Sequence, residues 1–188
     1  CLHIAIWLDS NLKQGSRVGV LLDNSYQAVV AMYGIFFSKS ICVPLDTDMH
    51  KRNLQYIFND VSMSLLITCS KYLKIVDEFN RNDKLKIHLI ENSLLENNTK
   101  KKLKDGSNYD IDFSQKNNPI NTSIILYTTG TTGPKKGVAL NHLNLTAAEA
   151  NINEFMQIGN WAIESIPMRL SHSFGLARLR CVFNVGGT

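Results

Sequence analysis

The sequence has 188 residues, of which 44% are hydrophobic and 19% charged, a composition that supports one core of ordinary size. Its formal net charge is +4, but the basic run at Lys100, Lys101, Lys102 and Lys104 lacks the interleaved aromatic residues and the motif of a nucleic-acid surface. No apolar stretch is long enough to cross a bilayer and no signal-peptide pattern is present, so a cytoplasmic protein without a transmembrane segment is expected.

Strand and helix patterns alternate through the first half of the chain. Short apolar runs predict strands over residues 18–22, 41–43, 65–67 and 85–89. Helical spacing predicts helices up to about residue 12 and over residues 26–37, 54–61 and 70–79. Such alternation indicates an α/β fold with a layered, mostly parallel sheet and flanking helices.

Three local features refine these elements. Asp23, Asn24 and Ser25 supply turn and N-cap residues for the helix over 26–37, and Ser70 is placed to cap the helix over 70–79. In the run 85–89, apolar residues alternate with Lys86 and His88, as on a half-exposed edge strand. His88 is therefore predicted to be a surface residue.

Residues from about 91 to 121 are rich in Asn, Lys, Asp and Ser, with a brief helical pattern around Leu94, Leu95 and Leu103. A polar segment of this length is unusual inside one domain. It is either a surface insertion or a connector between two halves of the sheet system.

The four cysteines, Cys1, Cys42, Cys69 and Cys181, are far apart and are predicted to be reduced core residues. The chain begins at Cys1 without a methionine and ends at Thr188 where a turn should lead into another strand. It is therefore expected to be a fragment.

A strand over residues 123–127 runs directly into a stretch that contains four hydroxyl residues, three glycines and two lysines, namely residues 128–137. Glycines let backbone N–H groups close around an anion, hydroxyls add donors and lysines add charge, a combination suited to a polyphosphate. Neither a Walker loop nor the dinucleotide fingerprint fits these residues. The alternative interpretation is a flexible hairpin turn.

The twelve residues 127–138 read Tyr-Thr-Thr-Gly-Thr-Thr-Gly-Pro-Lys-Lys-Gly-Val. They resemble the signature phosphate loop of the adenylate-forming (AMP-binding) ligases, the superfamily of acyl-CoA synthetases, nonribosomal-peptide adenylation domains and luciferases. Thr129 replaces the usual Ser, Lys135 stands where Pro is usual, and Lys136 holds the lysine position. Weaker similarity covers residues 34–46 and 166–176, so the resemblance extends over about residues 2–188 and identifies the chain as an incomplete N-terminal AMP-binding domain without the C-terminal domain.

The resemblance implies a reaction in which ATP activates a carboxylic acid as an acyl-adenylate, pyrophosphate is released, and a thiol captures the acyl group. It implies ATP and Mg²⁺ as cofactors, and CoA or a carrier-protein thiol as co-substrate. An acyl-CoA synthetase, with fatty acid metabolism as its setting, is favoured over an adenylation domain that loads a carrier protein. A truncated nucleotide-binding module without activity is the alternative outside the enzyme class.

The resemblance also assigns residues. Contacts to the ATP phosphates are expected from Thr128, Thr129, Gly130, Thr131, Thr132, Gly133 and Lys136. The adenylation lysine, the Mg²⁺ glutamate and the ribose aspartate are expected further along than Thr188, so no catalytic residue and no metal ligand is assigned in this chain, which alone is expected to be inactive.

His172, Phe174 and Gly175 are expected at the acyl pocket or thiol tunnel. A helix-start residue packed beneath the sheet is the alternative for His172. His142 is expected to cap or begin a helix over residues 145–155 and is given no chemical role.

Overall fold

The computed structural model describes residues 1–78, 80, 85–91, 118–128 and 135–188. The chain divides into a first unit, Cys1–Asn118, and a second unit, Pro119–Thr188. The predicted polar segment, including its helical pattern around Leu94 and Leu103, lies almost entirely outside the described residues.

The first unit is a parallel α/β layer. Its strands are β1 (Arg17–Leu21), β2 (Ile41–Pro44), β3 (Leu65–Thr68) and β4 (Lys86–Leu89). Its helices are α1 (Leu2–Asn11), α2 (Tyr26–Phe36), α3 (Lys51–Asp60) and the short α4 (Leu73–Asp77), which a 3-10 turn, Ser70–Tyr72, precedes. The strands lie in the order β4, β3, β1, β2, and each neighbouring pair is parallel. The prediction of an α/β fold with a mostly parallel sheet and flanking helices is confirmed.

Burial explains why the strands of this layer could be predicted. All four residues of β3 are buried, as are the last four of β1, because helices cover a parallel sheet on its faces. The α2 helix starts as predicted, since the Ser25 hydroxyl accepts a hydrogen bond of 3.2 Å from the backbone N–H of Ala28.

One prediction in this unit needs correction. Ser70 does not cap a helix: it opens the 3-10 turn, and its backbone N–H donates to the Glu91 carboxylate at 2.9 Å. The prediction of a half-exposed edge strand is confirmed, because β4 ends the strand order and His88 is half-buried, with its ring 4.5 Å from the Trp7 ring, centroid to centroid.

The second unit contains a hairpin and two helices. Strands β5 (Thr122–Tyr127) and β6 (Gly137–Asn141) pair antiparallel, and they are followed by α5 (His142–Met156) and α6 (Ser173–Asn184). Asn141 and Asn144 form a reciprocal capping box at the start of α5, with hydrogen bonds of 2.8 and 3.0 Å. His142 is thus the first residue of α5, as expected, and the helix begins three residues earlier than predicted.

All four cysteines carry free thiols. Cys42 and Cys181 are buried, and burial raises the pKa of both thiols. Cys1 is exposed, so the core prediction holds for two of the four. None of the helices that the structure describes is both long and apolar enough to cross a membrane.

Candidate functional site

The predicted phosphate loop connects β5 to β6. The last residue pair of the hairpin ladder is Tyr127 with Gly137, and beyond it the Thr128 backbone N–H donates to the Lys136 carbonyl at 3.0 Å. Thr128 and Lys136 therefore meet at the base of the loop. The other predicted phosphate contacts, Thr129, Gly130, Thr131, Thr132 and Gly133, lie outside the described residues.

The hairpin interpretation and the phosphate-loop interpretation turn out to be compatible. Sequence analysis treated a hairpin turn as the alternative, and it did not predict β6. The two strands do form an antiparallel pair, and the described residues of the motif lie at the adjoining ends of both strands. A hairpin fixes the two ends of a loop side by side, which is what a loop that surrounds an anion requires.

The sequence on either side of the loop carries lysines and no nearby carboxylate. Lys136 is exposed and Lys135 is partly buried, and no Asp or Glu occurs in the sequence between Asp112 and Glu149. The described ends of the loop thus offer an exposed ammonium group at Lys136 and an exposed residue with a hydroxyl at Thr128.

The residues that the structure describes do not form a metal site. Within the described ranges, no group of three or more His, Cys, Asp or Glu side chains is arranged to hold a metal ion.

The three residues predicted for the acyl pocket fall together at the start of α6. His172 is the N-cap residue, its ring makes no capping hydrogen bond, and its carbonyl accepts from the Leu176 N–H at 3.0 Å. Phe174 is 63% exposed, so it presents an apolar ring to solvent. Gly175 is buried.

Gly175 has a packing role that sequence analysis did not foresee. A Cβ atom at this position would lie 2.4 Å from the carbonyl oxygen of Arg169. Only glycine lets the first turn of α6 approach the backbone at Met168 and Arg169 this closely. Gly175 thus fixes where His172 and Phe174 stand.

Two ion pairs near α5 and α6 were not predicted from the sequence. Glu149 and Arg180 form a buried ion pair, and Arg178 contacts the Glu164 carboxylate through two nitrogens at 2.5 and 2.7 Å. Burial raises the pKa of Glu149 even though Arg180 lies beside it. Burial and the Arg180 charge lower the pKa of His142. The pairs join residues 14 and 31 positions apart, and no local pattern signals such pairs.

A second polar cluster lies at the carboxyl ends of β1 and β3 in the first unit. Asp23 accepts hydrogen bonds from Lys71 at 2.6 Å and from the Tyr72 hydroxyl at 2.5 Å. Asp23 is predicted above as a turn residue, and this cluster was not predicted. The available signal was that Asp23 lies two residues after a buried strand, because the carboxyl ends of parallel strands gather polar groups.

Comparison with known proteins agrees with the resemblance seen in residues 127–138. A family model described as AMP-binding enzyme matches residues 1–188. The long-chain-fatty-acid–CoA ligase of Bacillus subtilis is 29% identical over 174 residues, which are 78% of this chain and 31% of that protein. Tyrocidine synthase 1 of Brevibacillus parabrevis is 25% identical over 150 residues, 80% of this chain and 12% of that protein. The chain thus spans under a third of these relatives.

Among solved structures, ATP-bound MatB from Rhodopseudomonas palustris superposes with a TM-score of 0.80 at 16% identity. The match covers 98% of this chain and 37% of MatB. At this identity the match supports the fold, and it extends through both units of the chain.

Proposed function

Because this chain belongs to the family of AMP-binding enzymes, we propose that the full-length protein uses ATP to activate a carboxylic acid as an acyl-adenylate. Pyrophosphate is the other product of this step. In a second step a thiol attacks the acyl carbon, the bond to the phosphate breaks and AMP leaves, and CoA is the acceptor that we favour.

The observation that carries the proposal is the base of the β5–β6 hairpin. The hydrogen bond from Thr128 to Lys136 closes a loop whose sequence is the phosphate-loop signature, and no carboxylate lies in the sequence around it. An exposed ammonium group beside this loop favours a ligand with several negative charges. A triphosphate meets that description.

Residues at both ends of the loop stabilise the negative charge that develops in this reaction. A carboxylate oxygen of the acid attacks the α-phosphorus of ATP, and the bond from that phosphorus to the oxygen that bridges to the β-phosphate breaks. Negative charge then grows on the departing pyrophosphate, and donors placed in advance stabilise that charge. Lys136 supplies a positive charge there, and Thr128, Thr129, Thr131 and Thr132 supply hydroxyls, with Gly130 and Gly133 allowing close backbone approach.

On the acyl side, the first turn of α6 contributes a wall of the acyl pocket or of the thiol tunnel. Phe174 offers an exposed aromatic ring and His172 a half-buried imidazole. Gly175 belongs to the same turn and holds it against Arg169. His172 is given no proton-transfer role, because an acyl-adenylate is reactive enough for a thiol to attack.

Transfer to a carrier-protein thiol is the second candidate for the acceptor. Its support is that the relatives include peptide synthases, such as tyrocidine synthase 1, as well as CoA ligases. The same adenylation step serves both acceptors, and the acid, with a fatty acid as one candidate, is chosen by residues that this chain only partly supplies.

Acid-dependent exchange of labelled pyrophosphate into ATP by the full-length protein tests the proposal. A panel of fatty acids, short dicarboxylic acids and amino acids provides the candidate substrates. Exchange with at least one acid supports adenylate formation, and thioester formation with CoA or with a carrier protein then separates the two acceptors. ATP binding without exchange for any acid would favour a truncated nucleotide-binding module without activity.

A further inference from the structure

The Tyr127 ring lies across Gly137 in the last residue pair of the hairpin. A Cβ atom built on Gly137 would be 3.1 Å from Cζ and 3.3 Å from the hydroxyl oxygen of Tyr127. It would also be 3.0 Å from Cγ2 of Ile125, on the same face of β5. Ordinary van der Waals contact begins at 3.4 Å, so these side chains occupy the space that a side chain at position 137 would need.

This contact stands beside the base of the phosphate loop. Tyr127 directly precedes Thr128, and Gly137 directly follows Lys136. The ring contact and the 3.0 Å hydrogen bond from Thr128 to Lys136 therefore form two consecutive cross-strand links. Glycine leaves its own backbone unusually free, so a ring that packs on it across the strands restrains β6 at this point.

We propose that Tyr127 is a positioning residue for Lys136. The ring packs on Gly137 and fixes the position of the Lys136 backbone beside Thr128. In this position the ammonium group points toward the triphosphate. Tyr127 acts through the backbone and does not touch the nucleotide. The inference rests on the proposed function, in which Lys136 binds the ATP phosphates.

A matched set of variants in the full-length protein tests the inference. The dissociation constant of MgATP is measured by titration calorimetry well below the melting temperature, and the melting temperature is recorded for each variant. Gly137→Ala should weaken MgATP binding by about fivefold or more, because one crowded methyl group must displace the ring. Tyr127→Phe keeps the ring and should stay within about twofold of the wild type, whereas Tyr127→Ala should lose as much as Gly137→Ala.

The double variant and a control sharpen the result. With the ring removed, the added methyl group is crowded only by Cγ2 of Ile125, which can shift toward the vacated space, so Tyr127→Ala combined with Gly137→Ala should be within about twofold of Tyr127→Ala alone. Gly159→Ala adds the same methyl group outside the hairpin, next to the exposed ring of Trp161, and should leave MgATP affinity unchanged.

Two other outcomes would overturn the inference. A lower melting temperature with unchanged MgATP affinity in Gly137→Ala and Tyr127→Ala would overturn the inference and leave Tyr127 as a packing residue. Equal losses in Tyr127→Phe and Tyr127→Ala would also overturn it, because the hydroxyl and not the ring would then be responsible. If Gly137→Ala does not fold, the comparison of Tyr127→Phe with Tyr127→Ala decides. A wild-type protein that does not bind MgATP refutes the proposed function itself.

Discussion

The hydroxyl of Tyr72 donates a 2.5 Å hydrogen bond to the carboxylate of Asp23, and this bond joins the chain after β3 to the chain after β1. Lys71 contacts the same carboxylate at 2.6 Å. The hydrogen bonds from Lys71 and Tyr72 lower the pKa of Asp23. The ionised form of Asp23 thus belongs to the folded state, and it links the two central strands of the first unit.

Tyr72→Phe should lower the free energy of unfolding by about 1 kcal/mol at neutral pH, toward the lower end for a bond to a charged group because Asp23 is half exposed. Tyr26→Phe, at a tyrosine that is 64% exposed, is the matched control and should change nothing. Urea unfolding of both variants makes the measurement.

The pH dependence of the Tyr72→Phe effect has a definite sign. Since the pKa of Asp23 is lowered in the fold, its stabilisation is present above the ordinary aspartate pKa of about 4 and is lost as the pH falls below it. The difference between wild type and Tyr72→Phe should therefore shrink in acid. A difference that stays constant down to low pH would contradict the role of the charged carboxylate.

Arg180→Met should destabilise the second unit by about 3–5 kcal/mol at pH 7, because it leaves the buried Glu149 carboxylate without its guanidinium partner. Replacing both members, as Glu149→Leu with Arg180→Met, should recover most of the loss, since the pair itself gains little over apolar packing. Thermal and urea unfolding distinguish the two variants. A double variant as unstable as Arg180→Met would argue against this account.

The ion pair of Glu149 and Arg180 also predicts how the stability of Arg180→Met depends on pH. Burial raises the pKa of Glu149, so the protonated carboxyl is the form that the fold tolerates best. A raised pKa means that stability increases as the pH falls through the folded value, and removing Arg180 enlarges this effect. The defect of Arg180→Met should thus be smaller at pH 5 than at pH 7.

The parts that could be predicted from sequence are those encoded locally. Ser25 can be recognised as a helix cap from its hydroxyl and its position before an apolar helix. The buried run 65–67 is apolar because both faces of a parallel sheet are covered. Strand β6 was not predicted: Val138, Ala139 and Leu140 form only a short apolar run, the first three residues of the strand are exposed, and its pairing with β5 defines it.

The same distinction applies to the site. The spacing of glycines, hydroxyls and lysines identifies the loop, yet it does not show that Thr128 and Lys136 are hydrogen-bonded or that Tyr127 covers Gly137. Nor does it reveal the pair of Glu149 and Arg180, whose members meet only when α5 and α6 pack together. Contacts between residues distant in sequence depend on the tertiary structure, and composition does not record them.

His172→Ala in the full-length protein should alter acid preference or the rate of thioester formation more than it alters ATP binding. The His172 ring makes no capping hydrogen bond to α6, so the helix should keep its start when the ring is removed. Exchange measured across a panel of acids, together with thioester formation, provides the readout. If both the acid profile and the thioester rate stay unchanged, the packing interpretation of His172 is the better one.

Lys136→Ala should lower the adenylation rate about tenfold to a hundredfold, since a charge-assisted hydrogen bond contributes roughly 1.5–3 kcal/mol to the stability of the transition state. Folding should be almost unaffected, because Lys136 is exposed and its backbone carbonyl, which accepts from Thr128, survives the substitution. The loss should fall on the rate more than on AMP affinity, because the charge that Lys136 meets builds on pyrophosphate and AMP lacks that group. Lys135→Ala is the matched control at the neighbouring position, where the family usually has Pro, and it should have a mild effect. Pyrophosphate exchange by the two full-length variants decides: a larger loss in Lys135→Ala means that the loop is aligned one residue out of place, and full activity in both removes the basis for placing the triphosphate at this hairpin.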